Sequence, residues 1–213
     1  MKVVVFGATG KTGQELVRQS LERRYDVVAY ARDSSKITIE NPHLAKMSGE
    51  LDDREAIKTA IAGSDCVLSA LGPMGKPSDA ELSNGVSNIL SAMDECGIAR
   101  FIALSTTSAQ DPQDTESFRT RLRRSMIRRG RPTSYEQIRN YSQLIRDSSS
   151  NWTLVRIAAI LTDKPLSKHV CAGYLGKEAF CNTLSRADLA WFMLEQISST
   201  EHSLRAPAIS DAK

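Results

Sequence analysis

The stretch Lys2-Val3-Val4-Val5-Phe6-Gly7-Ala8-Thr9-Gly10-Lys11-Thr12-Gly13 decides the fold of this chain. Its first five residues form a β-branched, almost wholly apolar run, which predicts a strand buried on both faces. Three glycines then follow at every third position, and a helical pattern begins with them. A strand that passes through a glycine turn into a helix is the opening of a parallel α/β sheet.

The glycine loop also predicts a ligand. Glycines let the backbone turn tightly and approach a pyrophosphate, and the helix that follows presents its N–H groups and positive dipole end to that anion. The P-loop pattern G-x-x-x-x-G-K-[ST] is excluded, because its first glycine would fall on Val5. We therefore predict a dinucleotide site whose loop residues are Gly7, Ala8, Thr9, Gly10, Lys11, Thr12 and Gly13.

Outward from this loop, short apolar runs alternate with helical patterns. The runs predict strands at 2–6, 26–31, 43–48, 65–70, 100–105 and 152–157, and the patterns predict helices at 14–22, 53–62 and 80–96. This alternation predicts an α/β fold: one Rossmann-type, doubly wound, mainly parallel sheet with helices on both faces. We interpret residues 1–213 as one domain, with a small substrate-side region built from about 110–135 and 160–184.

Composition narrows the class of protein. The chain has 213 residues, 41% hydrophobic and 25% charged, with a formal net charge of +3, which is typical of a globular domain. Its four cysteines form no C-x-x-C pair and no zinc pattern, so we expect no metal site and a reducing compartment. We find no leader-like or membrane-spanning segment, so we expect a cytoplasmic protein.

The end of the second predicted strand bears on the choice of cofactor. NAD proteins usually place an acidic residue there for the ribose, whereas this chain has Ala31 followed by Arg32. A guanidinium suits a phosphate dianion, and Lys11 and the hydroxyl of Ser35 could assist it. Asp33 is the opposing signal, because it could serve a ribose. We therefore predict NADP, with NAD possible.

Several segments together resemble a known family. The glycine loop, Tyr30-Ala31-Arg32-Asp33, Ser48-Gly49-Glu50-Leu51, Ala70-Leu71-Gly72, Arg100–Thr106 and Ser185-Arg186-Ala187-Asp188-Leu189-Ala190 recur at the intervals of atypical short-chain dehydrogenase/reductases. The branch that the chain resembles is the small NAD(P)H-binding, NmrA-like group, which includes biliverdin reductase B/flavin reductase.

The resemblance implies further cofactor contacts. It implies that Glu50 and Leu51 approach the adenine, and that the segment after the fourth strand lines the adenosine path. Ser105, Thr106 and the residues after the sixth strand would lie beside the nicotinamide. The residues that it adds to the glycine loop and Arg32 are Glu50, Leu51, Ala70, Leu71, Gly72, Ser105, Ile157 and Ala158.

The catalytic groups depart from the family pattern. Reductases of the superfamily pair a hydroxyl with a Tyr-x-x-x-Lys unit, in which the tyrosine donates a proton. Ser105 and Thr106 can supply the hydroxyl, but the tyrosine unit is Tyr135-x-x-x-Arg139, and arginine cannot relay a proton. Tyr141 is a second candidate.

This degenerate unit favours one function over two others. A flavin or quinone accepts hydride with little need for a protein acid, so we predict an NAD(P)H-dependent oxidoreductase with a small planar acceptor. A non-catalytic NADP-binding redox sensor of NmrA type stays open, as does an NADP-dependent carbonyl reductase or epimerase.

Seven arginines crowd residues 119–131. We interpret the segment as a solvated helix with Leu122, Met126 and Ile127 turned inward. It could instead dock an anionic substrate or a protein partner. Nucleic acid is disfavoured, because no aromatic residues alternate with the arginines to stack on bases. The sequence leaves the oligomeric state undetermined.

Overall fold

The computed structural model describes residues 1–73, 79–115 and 118–212, with the backbone alone at 79–81, 118–120 and 123. Ten strands are found in this part of the chain: β1 Lys2–Phe6, β2 Asp26–Ala31, β3 Leu44–Ser48, β4 Cys66–Ser69, β5 Arg100–Thr106, β6 Asn151–Ile157, β7 Ile160–Thr162, β8 Val170–Gly173, β9 Thr183–Ser185 and β10 Ala208–Asp211. Its helices are α1 Lys11–Glu22, α2 Arg54–Ile61, α3 Asp79–Cys96, α4 Phe118–Gly130, α5 Pro132–Asp147 and α6 Arg186–Glu195.

Eight of the strands form one sheet in the order β3-β2-β1-β4-β5-β6-β10-β8. All neighbours pair in parallel except β10 and β8, which are antiparallel. The chain order reverses between β1 and β4, and such a reversal opens a crevice at the carboxyl ends of the strands. The predicted doubly wound, mainly parallel α/β fold is confirmed.

Two apolar cores lie on opposite faces of the sheet. One contains Val4 and Phe6 of β1 with residues of α2, α3 and α5, and the other contains Val3 and Val5 with residues of α1 and α6. Alternate residues of one strand thus enter different cores, because successive side chains of a strand point to opposite faces. This explains why the run is continuously apolar.

The last third of the chain holds elements that periodicity did not reveal. Strands β7, β8 and β9 have three or four residues each, too few for a pattern. Strand β10 has four residues and pairs with β6 and β8. Helix α6 begins after Ser185, whose hydroxyl caps it by accepting the Asp188 N–H at 2.8 Å.

The arginine-rich segment is helical, but its predicted orientation is wrong. Leu122 and Met126 of α4 are 50% and 60% exposed, whereas Ile127 is half-buried. Helix α4 packs against α5 and leaves these two large apolar side chains at least half exposed. The side chains of Arg119 and Arg123 lie outside the described ones.

None of the described helices combines the length and the apolar character needed to cross a membrane.

Candidate functional site

The glycine loop has a conformation that only glycine fits. Gly7 has φ +75°, a region that L side chains rarely adopt. A Cβ on Gly13 would lie 2.1 Å from the Gly7 carbonyl oxygen, far inside van der Waals contact. The loop therefore folds tightly onto the first turn of α1 because positions 7 and 13 carry no side chain.

The amino terminus of α1 is arranged to receive an anion. Gly10 is its N-cap residue, no side chain caps it, and its first turn contains no acidic residue. The N–H groups of a first helical turn have no partners within the helix and carry a positive partial charge. The bare backbone and tight loop fit a dinucleotide pyrophosphate.

A cleft of about 380 Å³ opens beside this loop. Its walls come from the glycine loop and from the carboxyl ends of β2, β3 and β4, with one residue of α3. The lining residues are Gly7, Thr9, Gly10, Tyr30, Ala31, Arg32, Gly49, Glu50, Leu51, Ala70, Leu71, Gly72 and Leu82. Nine of the predicted cofactor residues are thus brought together in one cleft, which we call the cofactor cleft.

Tyr30 shapes one wall of the cofactor cleft, a role that its place in the Tyr30–Asp33 motif did not predict. Its hydroxyl donates to the Glu50 carbonyl oxygen at 2.9 Å. Burial raises the pKa of Tyr30 to about 12, so this hydroxyl keeps its proton at neutral pH. A Cβ on Gly49 would lie 2.1 Å from that hydroxyl. In the sequence, the signal for this contact was Gly49, because the absence of a side chain there permits the close approach of Tyr30.

Arg32 and Asp33 follow β2 and are the candidates to contact the cofactor's phosphate or ribose, and their partners in the protein differ. Asp33 accepts from the N–H and hydroxyl of Ser35, at 3.1 and 2.5 Å. The Ser35 hydroxyl lowers the pKa of Asp33, so this carboxylate is ionised and held by the short 3-10 turn that follows. Arg32 is exposed at the cleft and makes no ion pair with the described residues.

Other predicted loop residues lie outside the cofactor cleft. The Lys11 ammonium contacts Asp163 at 2.8 Å, and Asp163 also pairs with Arg186 of α6. These three residues line a separate groove of about 260 Å³. Ala8 and Thr12 are buried within the loop and α1. Lys11 therefore forms its ion pair in this separate groove, whereas Arg32 lines the cofactor cleft.

At the end of β5, the structure brings Ser105 to α5. The Ser105 and Ser142 hydroxyls are 2.9 Å apart, and the Tyr141 hydroxyl donates to the Leu104 carbonyl oxygen at 3.0 Å. Burial raises the pKa of Tyr141 to about 12, and the two serine hydroxyls only partly oppose this shift. No described basic side chain touches the Tyr141 hydroxyl.

The predicted catalytic pair lies elsewhere on α5. Tyr135 is buried, whereas Arg139 is 51% exposed and stands 5.8 Å from the Tyr135 ring. Spacing of four did place both on one side of the helix, but no hydrogen bond joins either side chain to Ser105 among the described residues. Helix rotation presents Tyr141 and Ser142 to β5 instead.

The remaining predicted residues flank the end of β5. Thr106 pairs with Ile157 across β5 and β6, and its hydroxyl accepts the Ser108 N–H at 3.2 Å. Ala158 is buried, and its N–H donates to Ile209 of β10 at 3.0 Å. No group of three His, Cys, Asp or Glu side chains suited to a metal occurs among the described residues.

The sequence matches the NAD(P)H-binding family over residues 7–200. The chain belongs to this NAD(P)H-binding family. The matched range contains both the glycine loop and the Ser185–Ala190 segment, two of the segments on which the resemblance to the atypical, NmrA-like short-chain dehydrogenase/reductases rests.

Individual relatives are distant. An uncharacterized protein of Bacillus subtilis is 23% identical over the full length of both chains. The (4-alkanoyl-5-oxo-2,5-dihydrofuran-3-yl)methyl phosphate reductase of Streptomyces griseus is 27% identical over 72% of this chain, but the match covers only 46% of that reductase. A short-chain dehydrogenase/reductase of Veillonella parvula, solved with NADP, superposes with a TM-score of 0.80 at 16% identity over 99% of this chain and 94% of its own.

Proposed function

We propose that this chain is a reductase that prefers NADPH and passes hydride to a small planar acceptor such as a flavin or a quinone. The bound nicotinamide supplies the hydride. The chain's own task is to bind and orient the cofactor and to exclude water. Arg32 supports the preference for NADPH: it is exposed at the cofactor cleft and unpaired among the described residues, while Asp33 is held by Ser35.

One observation carries the choice of acceptor, and it is the state of Tyr141. Its hydroxyl donates to a backbone carbonyl, and burial raises its pKa to about 12. A general acid works best when its pKa lies near the working pH and a neighbour supports the charge left behind. Tyr141 meets neither condition within the described residues. An acceptor that takes hydride without a protein acid suits this site better than a simple carbonyl does.

We assign the acceptor side to the ends of β5 and β6 and to the segments around 110–135 and 160–184, of which residues 116 and 117 lie outside the described part of the chain. Thr106 and Ile157 stand side by side at the carboxyl ends of β5 and β6, and both are partly exposed. Ser105 would hold the carboxyl end of β5 against α5 through its hydrogen bond with Ser142, and it would not donate a proton.

The test is turnover of NADPH, followed by loss of nicotinamide absorbance, with FMN and a panel of quinones, and with NADH in parallel. We expect turnover with NADPH and much less with NADH. Binding of NADPH with no turnover on any acceptor would contradict the reductase, and binding of neither dinucleotide would contradict the cofactor site itself.

A second candidate is a non-catalytic NADP-binding regulator. It is favoured by α4, which carries exposed Leu122 and Met126 among arginines and so could dock a partner. The same assay separates the two candidates, because a regulator binds NADPH tightly and oxidises none.

A further inference from the structure

A second cavity, of about 440 Å³, lies between helix α5 and the loop at 109–112. Five residues of α5 line it, Arg139, Asn140, Ser142, Gln143 and Arg146, and we call it the α5 pocket. It shares no lining residue with the cofactor cleft. The pocket meets the proposed acceptor side at Ser142, which bonds to Ser105, and at residues 110–112, but hydride transfer to a planar acceptor does not require its two arginines.

The two arginines are spaced along one side of the helix. Residues seven apart on an α-helix return to the same face after two turns, so Arg139 and Arg146 stand about 10 Å apart along the axis. Gln143 lies between them, one turn from each, and its amide can both donate and accept. The helix wall thus offers a guanidinium at either end and a neutral amide in the middle.

Arg139 is only weakly compensated by the protein. Its Nη1 lies 3.6 Å from Glu136 Oε2, longer than a charge-assisted hydrogen bond. Half of its side chain is exposed, at 51%. Its guanidinium can therefore turn to an anion in the pocket without losing a strong contact.

Arg146 is also incompletely compensated. Its Nη2 contacts Asp111 Oδ2 at 3.2 Å, and its buried Nε has no hydrogen-bond partner among the described protein atoms. Asp111 accepts from the Gln113 N–H as well, at 3.0 Å. Burial lowers the pKa of Arg146, which means that the surroundings disfavour its charge. With two arginines and one carboxylate, the lining carries an excess positive charge.

The opposite wall is fixed before any ligand binds. Asp114 holds the loop to β6 through Arg156, with two contacts of 2.6 and 2.8 Å. A third guanidinium reaches the same wall: Arg124 Nε of α4 donates to the Gln110 side-chain oxygen at 3.0 Å when that amide is oriented to face it. A preformed wall lowers the entropy that a ligand loses on binding.

We propose that the α5 pocket binds a small elongated dianion, such as a dicarboxylate, with one anionic group on Arg139 and the other on Arg146. The linking chain of the ligand lies against Gln143. Arginine binds carboxylates through paired N–H groups, which makes the contact directional. Binding of this dianion does not depend on the proposed function.

Isothermal titration calorimetry at low salt tests the proposal on the whole chain. The probes are succinate, adipate and suberate, with hexanoate as a single-ended control and inorganic phosphate as a compact dianion. We expect one dicarboxylate to bind at least about tenfold more tightly than hexanoate, since a second charge-assisted contact contributes on that scale. Arg139→Gln should remove that advantage.

Arg128→Gln is the matched control, because Arg128 is an exposed arginine that does not line the α5 pocket. Equal weakening by Arg128→Gln and Arg139→Gln would overturn the proposal in favour of general charge attraction. The proposal would also be overturned if no dicarboxylate bound more tightly than hexanoate, or if phosphate bound as tightly as the best dicarboxylate. Circular dichroism of both variants confirms the fold, so that lost binding reports on the pocket.

Discussion

The cofactor cleft and the end of β5 were both predicted from sequence motifs, and the structure groups the predicted residues differently in the two regions. At the cofactor cleft, nine of the predicted residues line one cavity. At β5, the predicted pair Tyr135 and Arg139 is not joined to Ser105, and Ser142 occupies the place beside it. One motif describes a backbone path, and the other describes side chains on a helix.

The physical difference lies in what each motif constrains. A glycine at position 13 is required by a backbone oxygen 2.1 Å from any Cβ, so its spacing fixes a local shape. A Tyr-x-x-x-Arg spacing fixes only that two side chains share a helix face. Which face meets the sheet depends on the whole apolar pattern of α5. Four mutations test this contrast, and they follow in order of expected effect.

Asp114→Asn should have the largest effect, on the β5 side. Arg156 is fully buried, and Asp114 is its only carboxylate partner among the described residues. Removing one partner of a buried ion pair typically costs about 3 to 5 kcal/mol of unfolding free energy. Denaturant unfolding measures this. Glu40→Gln, in the exposed pair with Lys46, is the control and should change stability by about 1 kcal/mol or less.

The same pair predicts a pH dependence. Burial raises the pKa of Asp114, but Arg156 and the N–H groups of Leu175 and Asp111 outweigh burial and hold it below its usual value. A lowered folded-state pKa stabilises the protein above the ordinary carboxyl pKa, and the stabilisation disappears as pH falls toward the folded-state value. Wild type should therefore lose more stability than Asp114→Asn on acidification, and equal losses would contradict this account.

Gly13→Ala should have the next largest effect, on the cofactor side. The new Cβ would overlap the Gly7 carbonyl oxygen, which belongs to backbone and cannot rotate away. We expect a loss of about 3 kcal/mol, as for a severe overpacking mutation, together with loss of NADPH binding. Gly130→Ala is the control, since nothing lies within 4 Å of its added Cβ. A Gly13→Ala protein as stable as Gly130→Ala would show that the loop is not tightly fixed.

Arg32→Gln should weaken NADPH binding by about tenfold and leave NADH binding unchanged, because one charge-assisted contact to a phosphate is lost. Calorimetric titration of both dinucleotides measures the ratio. Arg54→Gln, an exposed arginine that does not line the cofactor cleft, controls for net charge. Equal weakening toward NADPH and NADH would assign Arg32 to the shared part of the cofactor.

Tyr141→Phe should have the smallest effect. It removes one hydrogen bond to Leu104, which contributes about 1 kcal/mol to stability. We expect reduction of a quinone to continue at a rate within about twofold of wild type, since the proposed transfer uses no protein acid. A loss greater than tenfold, with stability corrected for, would make Tyr141 the proton donor and restore the similarity between this site and carbonyl reductases.

The sequence by itself determined the order of the main elements and the cofactor cleft. Short, β-branched apolar runs such as Lys2–Phe6 and Asp26–Ala31 favour strands buried on both faces, and both strands have the predicted bounds. The glycine spacing determined the loop, because steric exclusion around Gly7 and Gly13 is a local property of the backbone.

Only the tertiary structure decided the rest. The rotation of α5 placed Ser142 against Ser105, and packing of α4 on α5 left Leu122 and Met126 exposed. Strands β8 and β10 are short, and pairing at the edge of the sheet defines them. The α5 pocket joins loop 109–112 to residues thirty positions later. These features depend on contacts between distant segments, which no local periodicity encodes.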